Sequence, residues 1–89
     1  MALSDTVTLM TSDNYKHRFI AEYIQTKIRY DKLCRLIRLY AANQLDFEPK
    51  SSIVLLQKQA NCMGSYLGCL EHRAEDEGID LTKISDLID

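Results

Sequence analysis

The chain has 89 residues, 46% hydrophobic and 27% charged, with a net charge of -2, three cysteines and one proline. That length suits a single domain, and a lone monomer of this size buries only about 60 to 65% of its unfolded surface. The composition argues against a disordered chain and an extended nucleic-acid binder, and the longest apolar run, residues 53–56, is too short to cross a bilayer.

Residues 1–11 show no sustained period and are expected to form a loose N-terminal arm. Thr11, Ser12, Asp13 and Asn14 then cluster as helix-start residues, with Ser12 or Asp13 the expected cap. Helix one is predicted over 12–43, where Tyr15 to Asn43 contains neither Gly nor Pro. Phe19, Tyr23, Tyr30, Leu33, Ile37 and Ala41 share one face as a core stripe. Ile24, Ile28 and Leu39 form a second ridge on nearly the opposite side, which predicts a partner from another chain.

Asn43 suits a helix C-terminus and Pro49 the first turn of the next helix, so a connection of about five residues is expected. Helix two is predicted over 49–77, stopping at Gly78, with Ile53, Leu56, Ala60, Met63, Leu67, Leu70 and Ala74 as its main stripe. Leu55, Cys62, Tyr66 and Cys69 form another. The tail carries Leu81, Ile84, Leu87 and Ile88, and a short helix is predicted over 80–88. The expected fold is all-α: an antiparallel two-helix hairpin with a short C-terminal helix, assembling as a homo-oligomer.

Cys62 and Cys69 stand seven residues apart, about 10.5 Å along a helix, beyond disulfide reach. Reduced, buried thiols are therefore expected, and with no secretory signal opening the sequence the protein is placed in the cytoplasm. Charge is segregated. Residues 14–43 carry seven basic against two acidic side chains, and residues 71–89 carry seven acidic against two basic. The two segments can pair within or between subunits, and the basic helix can attract an anion.

No Walker loop, dinucleotide fingerprint or nucleophile elbow is present. His72 follows Cys69 by three residues, but a metal site needs further ligands, so no metal or cofactor is expected. Glu71 and Glu75 read as a solvated pair rather than acid–base machinery, and the chain is read as a non-enzyme. Arg18, Gln25, Arg29, Lys32 and Leu36 share a face of helix one, with Tyr40 at its margin. Cations beside an aromatic ring suit a phosphate with a stacked base, or else salt bridges to the acidic tail.

Gly64 and Gly68 each cost about 1 kcal/mol relative to alanine inside a helix. With Ala60 they form a margin of small residues, beside Asn61 and Ser65. Either a close helix crossing or a wall for a planar ligand explains them.

Leu55, Leu56, Gln59, Met63, Tyr66, Leu67, Leu70 and Arg73 form a pattern that resembles small helical proteins of bacteriophages and prophages, including a family related to crAss-like phages. The resemblance covers residues 15–78. The layout is also similar to the phage sponge proteins that counter CBASS and Thoeris defence by holding nucleotide signals without cleaving them. It implies a phage anti-defence protein, acting in the host cytoplasm, that sequesters a cyclic dinucleotide or an ADP-ribose-type signal. On that reading Arg29 and Lys32, with Arg18 or Arg35, neutralise phosphate. Tyr30, Tyr40 or Tyr66 stacks on a base, and Asn61 and Ser65 meet its polar edges. The alternative is a protein-binding inhibitor or adaptor that uses the acidic segment or the second apolar ridge. Neither reading involves a membrane or nucleic acid.

Overall fold

Asn14 starts the first helix: its extended backbone presents Oδ1 to the Lys16 N–H at 2.8 Å. The cap is thus one residue beyond Asp13 and two beyond Ser12, the expected positions. The computed structural model describes residues 14–81, so the expected arm over 1–11 and all but the start of the helix over 80–88 lie outside it. Among the described residues there are two helices and no strands: α1, Tyr15–Ala41, and α2, Ile53–Glu77.

Both helices end in a Schellman turn, in which the chain passes through the left-handed region and its N–H groups return to the last carbonyls. At α1, Asn43 has φ 58°, and Gln44 N–H reaches the Leu39 carbonyl at 2.8 Å. At α2, Gly78 has φ 69°, and Ile79 N–H reaches the Ala74 carbonyl at 2.8 Å. Gly78 is needed there because a Cβ is strained in this conformation.

The connection covers residues 42–52, longer than the expected five, and Pro49 lies inside it rather than in the first turn of α2. Ser52 supplies the cap instead, with its backbone extended. Its Oγ accepts the Leu55 N–H at 3.2 Å.

The helices pack as an antiparallel hairpin. Tyr15 meets Arg73, Glu22 meets Tyr66, and Tyr30 lies over Gly64. One buried cluster contains Phe19, Ile20, Ala21, Ile24, Leu70, Ala74 and Ile79, with Tyr23, Ile28 and Leu81 packed against it. This corrects the expectation for the second ridge of helix one. Ile24 and Ile28 are covered within the chain because the turn at Gly78 directs Ile79 and Leu81 back into the core. Leu39, on the same ridge, is half-buried.

The thiols also differ from expectation: Cys62 and Cys69 are exposed and Cys34 is half-buried, all three free. Cys62 and Cys69 lie outside the cluster because it is built on the α2 face carrying Leu67, Leu70 and Ala74, and Cys34 lies beyond the buried stretch of α1, which ends at Thr26. Among the described residues no helix is long and apolar enough to cross a membrane.

Candidate functional site

Residues one helical turn apart line a shallow groove between the helices. From α1 come Tyr30, Cys34, Ile37 and Arg38; from α2 come Gln57, Ala60 and Asn61. Its volume is about 260 Å³. Tyr30, Cys34 and Arg38 recur every four residues, as do Gln57 and Asn61, so each set stands on one side of its helix.

Gly64 shapes the groove. A Cβ placed there would come within 3.3 Å of the Tyr30 Oη and 3.4 Å of its ring, so the missing side chain lets the phenol lie against α2. At Gly68 a Cβ would meet nothing within 4 Å in the chain. The small-residue margin therefore admits a tyrosine ring at one position, and the expected close approach at Gly68 is absent from the hairpin. Ala60 is buried between the helices at 7% exposure.

The groove offers an aromatic ring, a thiol, two carboxamides and a guanidinium. A hydrogen bond with Cys34 is the main cause raising the Tyr30 phenol above its ordinary 10.0. The Lys27 ammonium lies 5.6 Å from the Tyr30 ring centroid and 3.2 Å from the Asp31 carboxylate. An ion pair thus borders the ring, and the Arg38 guanidinium brings the groove its cation. The structure holds the parts for an anion bearing a planar group: a ring for stacking, amides for hydrogen bonds and a guanidinium for charge. Among the described residues no three His, Cys, Asp or Glu side chains gather as a metal site.

Only part of the expected constellation converges here. Tyr30 and Asn61 line the groove together. Arg18, Arg29, Lys32 and Arg35 are exposed and stand about 100 to 160° around α1 from Tyr30. They share a helix with the ring, but not its side. Tyr40 lines a separate hollow of about 230 Å³ in the connection, with Asn43, Leu45, Phe47 and Glu48. Ser65 is exposed. The Tyr66 hydroxyl donates to Glu22 Oε1 at 3.2 Å, and the same oxygen accepts from Thr26 Oγ1 at 3.1 Å. Tyr66 therefore ties α2 to α1 outside the groove.

Arg38, Cys34 and Gln57 were not among the expected site residues. The four-residue rhythm from Tyr30 was available in the sequence, but its facing partners became visible only once the helices were paired. At the opposite end Arg73 joins the helices: it donates to the Tyr15 hydroxyl, pairs with Glu77 at 3.2 Å and lies 5.1 Å from the Phe19 ring centroid. Two residues of the recognised pattern, Tyr66 and Arg73, thus hold the hairpin together.

A family profile described as Sequestin matches residues 13–76, which takes in α1, all but the last residue of α2 and every residue of the groove. The chain belongs to the Sequestin family. That family name denotes withholding a bound partner rather than transforming it. No curated protein and no solved structure matches the chain.

Proposed function

We propose that this Sequestin-family protein binds an anionic nucleotide signal in the groove between α1 and α2 and withholds it from a host effector without cleaving it. The observation that carries the proposal is the meeting of Tyr30, Asn61, Gln57 and Arg38 in one groove, within a chain of a family named for sequestration. Tyr30 stacks on the base, Asn61 and Gln57 satisfy its polar edge, and Arg38 holds a phosphate oxygen. Arg29, Lys32 and Arg35 act at longer range by raising the local concentration of anions. Withholding a signal needs affinity and abundance, and none of the assigned roles is catalytic. The proposed setting is a phage or prophage anti-defence protein in the host cytoplasm, which rests on the sequence pattern of α2 and the family name.

The test mixes the purified protein with cyclic dinucleotides and ADP-ribose derivatives, separates the complex, releases the ligand by heat and analyses it intact. Retention of one unaltered nucleotide is expected. Arg38→Ala should weaken that retention by about 10- to 100-fold, the loss of one hydrogen bond to a charged group, with the fold unchanged by circular dichroism. Retention of none, alongside capture of a host protein, would favour the inhibitor or adaptor reading. Release of a cleaved nucleotide would overturn the non-enzymatic reading.

A further inference from the structure

The connection between the helices forms a second hollow whose lining suits the opposite charge to the groove. Asn43 N–H returns to the Tyr40 carbonyl at 3.0 Å, and Gln44 N–H to the Leu39 carbonyl at 2.8 Å. The chain leaving α1 is thereby held against the last turn of the helix. Leu45, Phe47 and Glu48 come to share a hollow of about 230 Å³ with Tyr40 and Asn43. Two of these side chains are aromatic and open to solvent, Phe47 at 55% and Tyr40 at 42% exposure. The face of an aromatic ring carries negative potential and attracts a cation set against it. A carboxylate at the same place strengthens that attraction, and Glu48 supplies one.

The described cations leave these groups uncovered. Lys27 lies over the Tyr30 ring and Arg73 over the Phe19 ring, whereas among the described residues none lies over Tyr40 or Phe47. The ion pairs among the described residues are Lys27–Asp31 and Arg73–Glu77, neither of which takes in Glu48. Arg38, the cation of the groove, stands about 160° around α1 from Tyr40. Within the connection Asp46 and Glu48 outnumber Lys50, so an acidic segment follows a basic helix. No basic side chain lines the hollow, which therefore lacks what a phosphate needs.

We propose that the hollow binds an organic ammonium group, with Tyr40 and Phe47 as aromatic walls and Glu48 as the counter-charge. A free amine and a lysine side chain of a partner protein both offer that group. None of these three residues lines the groove, so the site stands or falls independently of the nucleotide.

Titration of the isotope-labelled full chain with choline chloride, followed by amide NMR and without any nucleotide, tests it. Signals of residues 40–48 should shift saturably, while sodium chloride at equal ionic strength leaves them in place. The uncharged tert-butyl analogue of choline should bind more weakly. Phe47→Leu and Glu48→Gln should each raise the concentration for half-saturation by about two- to fivefold, the worth of one cation–π contact or one exposed ion pair. Both side chains are exposed, so the signals of the buried cluster should not move in either variant. An equal response to the uncharged analogue would show a merely apolar hollow, and an equal response to sodium chloride a bulk salt effect. Either result overturns the proposal, as does binding that both variants leave unchanged. Tighter binding of a lysine blocked at both backbone ends than of butylammonium assigns the group to a protein partner. No such gain assigns it to a free amine.

Discussion

Between Phe19 and Thr26, α1 buries Phe19, Ile20, Ala21, Ile24 and Thr26, and the facing end of α2 buries Leu67, Leu70 and Ala74. From Lys27 through Gln59, across the rest of α1, the connection and the start of α2, no residue is buried. Leu33, Ile37, Ile53 and Leu56 continue the same apolar spacing in that region, yet all are half-buried. Two helices alone cover only one side of each other. The open end gains a third layer where Ile79 turns back beneath Gly78, together with the Arg73 contacts to Tyr15 and Phe19. Among the described residues the loop end has no such cover, and its incomplete packing leaves the groove. One half of the hairpin provides stability and the other provides access.

The largest expected contrast is between two leucines of α2. Leu70→Ala should cost about 2 to 5 kcal/mol, because a side chain 2% exposed leaves a cavity in the cluster. Leu56→Ala, half-buried at the loop end, should cost about 1 kcal/mol. Urea unfolding of the two variants checks this, and equal losses would erase the distinction between the ends.

The glycines sharpen the same boundary at smaller amplitude. Gly68→Ala should stabilise by about 0.4 to 1 kcal/mol, since the new methyl group meets nothing within 4 Å and the unfolded chain loses freedom. Gly64→Ala should gain less, because Tyr30 must yield, and it should disturb the groove. Thermal unfolding of the pair measures the difference.

The smallest expected effect is on alkaline stability. Tyr15, Tyr23, Tyr30 and Tyr66 have phenols raised above 10.0, and Lys27 is raised above 10.5. A hydrogen bond with Glu77 leads at Tyr15, burial at Tyr23 and Tyr66, the Cys34 hydrogen bond at Tyr30, and the Asp31 hydrogen bond at Lys27. For each group the folded state holds its proton more tightly than the unfolded state. That contribution is complete below about pH 10 and is lost as pH rises further. The melting temperature should therefore be flat from pH 8 to 9.5 and fall above it, with a tyrosinate absorbance change accompanying the fall.

Much of the fold was legible because helix signals are local. The uninterrupted run from Tyr15, the stripe Leu67, Leu70 and Ala74, and the stop at Gly78 follow from spacing and backbone preference alone. Pro49 misled because a proline signals a first turn only where no better cap follows, and Ser52 does follow. The site was legible in fragments: Tyr30 and Asn61 stood out by type, and the basic residues stood out by number. Their abundance on one helix concealed that Arg29 and Lys32 face away from the ring, while Arg38 faces with it.

Sequence by itself determined the two helices, the turns that end them and the buried stripe of α2, since these depend on residues within a few positions of one another. On α1 the expected stripe is buried only at Phe19, while Ala41 is exposed and Ile20, Ala21 and Ile24 are buried instead. Only the tertiary structure decided that Ile24 is covered and Leu55 is not. It also decided that Tyr66 joins the helices, and that Gly64 rather than Gly68 receives the close contact. Helical spacing gives the angle of a side chain around its own axis. What stands opposite that side chain depends on how two axes pack, and residues far apart along the chain settle that together.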